Sequence, residues 1–343
     1  SRLDTLAGVF DTTHMQELLG KIEGLRVVVI GDLMLDHYIW GDATRLSPEA
    51  PVPVVKVNRD VYTAGGAANV AANLRALGVT TEVVGMIGAD EAGRQLEGIL
   101  RQRGVTFNKT LCCGPAATVV KTRVMCRNQQ LCRLDREETP GAYALSAEAL
   151  AGLKERIARA DAVILSDYAK GVVTSDLIRR VQEMVRPGQL LAIDPKPRTD
   201  LVFSGVTLMT PNKAEAIQLA GLHGIEAQGV FPQETVAARI HERYAPRHLV
   251  VTLGGEGMLL CAGGKPGLHI PTAAREVFDV SGAGDTVIAT LTAALAAGAD
   301  IDRAATFANL AAGVVVGKLG TAVAEPAEIL AYASRTGAGG GGR

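Results

Sequence analysis

This sequence predicts an α/β fold: a mostly parallel sheet with helices on both faces and a small β-flap at one edge. Three observations predict it. Short β-branched runs alternate with longer alanine- and leucine-rich stretches of helical period. Two segments, 37–62 and 116–134, break that rhythm with extended, strand-like patterning. Glycine stands at 39 while aromatics are only 4%, which favours tight turns and close backbone approach over aromatic stacking platforms.

In chain order, the apolar runs predict strands at 26–30, 81–87, 162–165, 190–193, 208–210 and 249–253. Between them, helical spacing predicts helices at 67–76, 91–103, 146–160, 175–185, 213–220 and 233–244, with a long small-residue helix running to about Ala297. Strand–helix alternation with short connections implies right-handed crossovers. Segment 37–62 carries Pro48, Pro51 and Pro53, and 116–134 alternates like a hairpin and carries Lys121, Arg123, Arg127 and Arg133. Together they predict a β-lid over the carboxyl edge of the main sheet. The organisation expected is one domain over 1–335, followed by a flexible Gly-rich tail over 336–343.

The chain of 343 residues has 35 basic and 36 acidic side chains, a net charge of -1, which argues against a general nucleic-acid binder. No stretch near the start has signal-peptide character, and the apolar runs are too short for a membrane span. Cys112, Cys113, Cys126, Cys132 and Cys261 are odd in number and contain no Cys-x-x-Cys pair. Reduced thiols in a cytoplasm are therefore the expectation.

Missing motifs remove several chemistries. The nearest approach to a P-loop, Gly313 to Lys318, has the wrong spacing and is followed by Leu319. The first strand ends Gly31-Asp32-Leu33 with no dinucleotide fingerprint. After His241-Glu242, the position that a zincin fills with histidine is Ala245. Ser281 lacks the glycine that opens a nucleophile elbow.

Four strings carry chemistry. The first, Asp279-Val280-Ser281-Gly282-Ala283-Gly284-Asp285-Thr286, opens a helix: its amides suit an anion, and Asp285 is set either to take a proton from a hydroxyl or simply to cap the helix. Near the start, Gly31-Asp32, Asp36 and Ala64-Gly65-Gly66-Ala67-Ala68-Asn69 place carboxylates and a close backbone where a polyol binds, with Asn69 as a helix cap the alternative. Asn212 and Glu215 have capping-box spacing, and equally that of a pair holding water on a magnesium ion that bridges nucleotide phosphates. Lastly, Thr252-Leu253-Gly254-Gly255-Glu256-Gly257 is a flexible turn after a strand, where a nucleotide could lie.

In this order the four strings resemble the ribokinase-like carbohydrate kinases, the PfkB family. The resemblance implies a ribokinase-like three-layer fold with a β-sheet lid, with ATP and Mg2+ as cofactors. It implies Asp285 as catalytic base and Gly282, Ala283 and Gly284 as the anion hole. Asn212, Thr252, Gly254, Gly255, Gly257 and Asn309 would border the nucleotide, and Glu215, with Asn212, would support the metal through water. Within the family, Gly31 to Asp36, Arg45 to Val54, Ser166 to Gly171 and Asp194-Pro195-Lys196 are similar to the kinases of D-glycero-β-D-manno-heptose 7-phosphate, which make the 1,7-bisphosphate for lipopolysaccharide core.

A phosphorylated sugar needs cations and hydroxyl readers. Arg45, Lys170 and Lys196 are the candidates for the first role. Asp32, Asp36, Asn69 and Asp194, with the Gly65-Gly66 turn, are candidates for the second. The expected partners are a sugar phosphate and ATP, with neither nucleic acid nor membrane, and a second copy through the exposed edges of the lid. Another ribokinase-like sugar or nucleoside kinase, or a non-catalytic sugar-phosphate sensor, are the alternatives.

Overall fold

A strand buried on both faces must be apolar at every position, and Arg26–Gly31 (β1) is such a strand: each residue from Val27 to Gly31 is buried. The computed structural model describes residues 12–108, 113–127, 129–222 and 230–337. Cys112 and the end of the glycine-rich tail, 338–343, lie outside the described residues.

The chain opens with Thr12–Glu23 (α1), β1, and a hairpin of two long strands, Leu33–Leu46 (β2) and Pro53–Gly66 (β3). Ala67–Ala76 (α2), Thr80–Val84 (β4), Ile87–Gly88 (β5) and Glu91–Gln102 (α3) follow, then Cys113–Gly114 (β6), Val119–Cys126 (β7) and Gln129–Arg136 (β8). Next come Ala147–Ala151 (α4), Leu153–Arg159 (α5), Ala162–Ser166 (β9), Ser175–Met184 (α6), Leu190–Asp194 (β10), Leu208–Met209 (β11), Lys213–Leu219 (α7) and Gln233–Tyr244 (α8). His248–Thr252 (β12), Met258–Ala262 (β13) and Lys265–Ile270 (β14) complete the strands, and Ala283–Ala296 (α9), Ile301–Val316 (α10) and Pro326–Gly337 (α11) the helices.

The main sheet has the order β14-β13-β12-β11-β10-β9-β1-β4. Strands β4, β1, β9, β10, β11 and β12 run parallel, and β13 and β14 add an antiparallel edge. Alternation along each strand feeds two separate cores. Val27 and Val29 face α1, α2, α9 and α10, packing with Leu74, Ile288 and Phe307. Val28 and Ile30 face the other layer with Leu153, Ile178 and Ile240. Three layers therefore follow from the strand period of two.

Segments 37–62 and 116–134 contribute most of a second sheet, of order β3-β2-β7-β8. Pro53 opens β3 opposite Leu46, at the sheet edge where a missing N–H is tolerated. The root of β2 is buried from Leu33 to Asp36, whereas its end from Asp42 to Leu46 is mostly exposed, so the sheet projects outward from the carboxyl edge.

Two expected elements are divided. The 81–87 strand stops at Val84 and the chain resumes as β5, paired with β6; between them Gly85 runs so close to β1 that a Cβ there would lie 2.4 Å from the Gly31 carbonyl oxygen. The 146–160 helix breaks at Gly152 into α4 and α5, where the helix-weakening glycine offers its carbonyl to Arg156. Strands β6, β13 and β14 and helices α1, α10 and α11 are additions to the elements read from periodicity.

Candidate active site

Every parallel strand of the main sheet delivers its carboxyl end to one edge, and there α9 begins. Gly282 precedes α9 with φ +78°, a left-handed conformation that suits glycine, and a Cβ there would stand 2.7 Å from the Asn69 amide nitrogen. Asp285 sits in the first turn, 2% exposed. Its Oδ2 accepts from Asn69 Nδ2 at 2.8 Å and its Oδ1 from the Tyr168 hydroxyl at 2.7 Å. Burial lifts its carboxyl to about 6 and the Asp36 charge adds to the rise, while the Asn69 and Tyr168 hydrogen bonds and the Lys196 charge oppose it. A carboxylate poised near neutrality can take a proton from a hydroxyl.

Neither Asp285 nor Asn69 caps its helix. Asp285 makes no capping bond to α9, whose cap is Gly282. Asn69 lies inside α2, whose cap is Gly66 at φ +57°, and its side chain crosses to Asp285 instead. Asn73, one turn on, donates to the Asn69 carbonyl at 2.9 Å and accepts from Thr286 at 2.9 Å, fixing the two helices side by side. Of the three amides read as an anion hole, that of Ala283 donates at 3.2 Å to the Val280 carbonyl. The site of Gly284 is open, with nothing within 4 Å of where a Cβ would be.

Asp32 is 1% exposed and accepts three backbone N–H groups, from Tyr168 at 2.7 Å, Lys170 at 3.0 Å and Val172 at 3.0 Å. Burial still outweighs these bonds and raises its carboxyl above the ordinary value. Its carboxylate is thus largely committed to the 168–172 loop. Asp36 is 5% exposed, bonded to Arg123 at 2.6 Å and to the Thr321 hydroxyl at 3.2 Å, and a Cβ on Gly65 would crowd its Oδ2 at 2.5 Å.

Beyond β10, Lys196 contacts Glu215 and lies with its Nζ 5.0 Å from the centre of the Tyr168 ring. Burial alone would lower this ammonium, but the Asp194 and Glu215 charges prevail and raise it. Asp194 is held well above the carboxylate range by burial and by the neighbouring Glu215 and Asp285 charges, against the pull of Lys196. Asn212 and Glu215 form a complete capping box, with bonds of 2.9 Å in both directions. Glu215 turns its other oxygen to Lys196, so the pair serves the helix and the site together.

On the other side of α9 lies a cavity of about 500 Å³ lined by Thr252, Gly254, Gly255, Gly257, Asn309 and Gly284, among others. That size suits a nucleotide. Asn309 is fixed by bonds to the Pro271 carbonyl at 2.8 Å and the Ala273 amide at 3.3 Å. Lys170 reaches Glu137 at 2.5 Å. Arg45 alone stands apart, in the exposed outer part of β2, about 30 Å along the strand from Asp36 at the usual rise per residue.

Tyr168 is the residue that motif reading passed over, although it lies in Ser166-Asp167-Tyr168-Ala169-Lys170-Gly171 directly after β9. Asp167, fully buried, holds Arg198 at 2.7 and 2.8 Å and takes the Ala169 amide at 2.9 Å. These bonds keep Ala169 at φ +56°, a strained position for a residue with a Cβ. Thr321, from the loop after α10, was also not legible, because only folding brings it to Asp36.

Known proteins resemble this chain in sequence and in fold. The chain is 44% identical over 323 residues to the bifunctional protein HldE of Klebsiella pneumoniae, covering 92% of this chain and 65% of that protein. It is 42% identical over 314 residues to the bifunctional protein HldE of Caulobacter vibrioides, covering 91% of this chain and 64% of that one. The chain therefore spans less than two thirds of the length of these curated relatives. Its fold matches Arabidopsis thaliana ribokinase complexed with ribose and ATP, with TM-score 0.69, 20% identity, and coverage of 90% of this chain and 98% of that one. It also matches Escherichia coli phosphofructokinase-2, with TM-score 0.70, 18% identity, and coverage of 91% and 99%. The sequence pattern of the family described as pfkB family carbohydrate kinase extends over residues 25–328, and this chain belongs to that family.

Proposed function

We propose that the chain transfers the γ-phosphoryl group of ATP to the anomeric hydroxyl of D-glycero-β-D-manno-heptose 7-phosphate, giving the 1,7-bisphosphate on the route to ADP-heptose. The observation that carries this reading is the position of Asp285, a buried carboxylate near neutrality between the polar cluster of Asp36, Asn69 and Lys196 and the cavity at Gly254–Gly257. The acceptor sits on the first side and the triphosphate on the second, so the two meet at Asp285 and the amides before it. Asp285 removes the hydroxyl proton as the phosphoryl group moves in line, and the N-terminal amides of α9 stabilise its charge. No phosphoenzyme is required.

Among the described residues no group of three or more His, Cys, Asp or Glu side chains could hold a metal by itself. Magnesium in kinases keeps its waters and takes most of its ligands from phosphate. The residues present fit such an ion: Glu215, joined to Asn212 by the capping box, is an acid at the edge of the site, and the nearby Asp194 carboxyl, raised by burial and by the Glu215 and Asp285 charges, is favoured in its ionised form by any added cation. Asn212 and Glu215 would support the ion through water; when bound it neutralises triphosphate charge.

Lys170 is the first candidate for the 7-phosphate, exchanging Glu137 for substrate. Asp36, Asp194 and Asn69, beside the Gly65-Gly66 backbone, would read the hydroxyls; Asp32 would serve them by fixing the loop. We extend the reading to a cytoplasmic homodimer joined through the lid, whose strands expose Leu46, Val57, Leu131 and Leu134. Among the described residues, no helix is long and apolar enough to cross a membrane.

ADP release with ATP and magnesium, compared across heptose 7-phosphate, ribose, fructose 6-phosphate, adenosine and no acceptor, tests the assignment. Turnover restricted to heptose 7-phosphate is expected. Preference for another acceptor would keep the mechanism and overturn the substrate, and silence throughout would favour a binding-only protein.

A further inference from the structure

We propose that Tyr168 is a positioning residue for the base: its hydroxyl, presented by a loop that Asp32 clamps, orients the Asp285 carboxylate and favours its ionised form. The inference rests on the phosphoryl-transfer reading above and adds a residue to it.

Three independent features converge on this tyrosine. Its hydroxyl meets Asp285 Oδ1 at 2.7 Å, while Asn69 takes the other oxygen at 2.8 Å, so the carboxylate is held from two directions. A carboxylate has about four lone-pair sites, which leaves room for an acceptor hydroxyl. The backbone that carries Tyr168 is tied down at every second residue by Asp32, through the amides of Tyr168, Lys170 and Val172. Between two of these, Ala169 is held at φ +56° by Asp167, which Arg198 anchors in turn. A buried carboxylate spent on three amides and a strained alanine are a large outlay of structure for a loop, and the side chain delivered to the reacting group is Tyr168.

The groups facing Asp285 set the direction of the effect. Asp36 from β2 raises its proton affinity, Lys196 beyond β10 lowers it, and Asp194 at the end of β10 interacts with it through charge. From α2 come the neutral Asn69 and Asn73, while α1 presents Met15, Leu18, Leu19 and Ile22 as its buried residues, and Asn309 of α10 is turned to the Pro271 and Ala273 backbone. Tyr168 opposes protonation of Asp285 through its hydrogen bond. Its own phenol is pushed well above the ordinary tyrosine value by burial and by the Asp285 charge, so it remains a donor through neutral pH.

Tyr168→Phe keeps the ring beneath Lys196 and removes only the donor. Titration of Asp285 by NMR of carboxyl-¹³C aspartate in the free protein, assigned with Asp285→Asn, reads the result without any substrate. The midpoint should move up by about one pH unit. The acid limb of kcat/KM should move with it, at nearly constant KM for the acceptor. Asp32→Asn, which loosens the loop without touching Asp285, should shift the titration in the same direction and covers the case in which Tyr168→Phe folds poorly. An Asp285 midpoint identical in wild type and both variants overturns the proposal. The titration is independent of turnover, so a shift seen in a protein that phosphorylates nothing in the acceptor panel would support the coupling and discard the kinase reading separately.

Discussion

The side-chain amide of Asn69 donates to the Asp285 carboxylate at 2.8 Å, joining the first turns of α2 and α9 across the site. Exchange of this neutral donor for a like charge, Asn69→Asp, should hold Asp285 protonated. The acid limb of the pH–rate profile then rises by about 1–3 units, the usual effect of paired carboxylates. A profile identical to wild type would show that Asn69 and Asp285 are not coupled.

Gly282 stands behind that amide. A Cβ at this position would meet Asn69 Nδ2 at 2.7 Å, and the left-handed φ of +78° strains any other residue by about 1–2 kcal/mol. Gly282→Ala should therefore lower kcat more than tenfold with little change in ATP binding, measured by nucleotide titration alongside steady-state kinetics.

Asp285 exacts a stability cost. Its folded value of about 6 exceeds the ordinary 3.8, so the folded protein binds this proton more tightly than the unfolded chain does. The stabilising contribution is complete below pH 3.8 and is lost as pH rises to about 6, a difference of roughly 3 kcal/mol for about two units. Asp285→Asn should consequently melt no lower than wild type at pH 8, while kcat falls by about 10²–10⁴-fold. A large fall in Tm at pH 8 would contradict this balance.

Asp32 holds the loop that carries Tyr168 and Lys170. Asp32→Ala leaves three amides without their acceptor, at about 1–3 kcal/mol for each that stays buried and unsatisfied. Hydrogen exchange at Tyr168, Lys170 and Val172 should accelerate together, and activity should fall with it. Exchange unchanged at those amides would assign the clamp elsewhere.

The two lysines separate binding from chemistry. Lys170 pairs with Glu137, whereas Lys196 lies between Glu215 and the Tyr168 ring. Lys170→Met should raise the acceptor KM about tenfold or more, and Lys196→Met should act chiefly on kcat. Equal effects of both variants on KM would place both cations at the substrate phosphate.

Much of this architecture was legible because it follows from period. Val27 to Ile30 alternate between two cores, and apolar runs of this kind specify a buried parallel sheet. Asp285, Asn69 and the Gly254–Gly257 turn were legible because helix starts and strand ends are marked by local residue types. Tyr168 was not, since a tyrosine after a strand carries no sign of a carboxylate that reaches it only through the fold. The three amide bonds to Asp32 were not legible, because their donors come from a loop far along the chain. The outward, exposed position of Arg45 follows from the length of β2, which its string does not show. The breaks at Gly85 and Gly152 show where close packing or a helix-weakening glycine overrides an apolar pattern.

The measurement closest to the central claim is ³¹P NMR of heptose 7-phosphate incubated with ATP, magnesium and either wild-type protein or Asp285→Asn. The account predicts a new anomeric phosphate resonance, coupled to the C1 proton and matched by ADP, with wild type, and its near absence with the variant. A phosphate appearing at another carbon, or equal product from the two proteins, would contradict it.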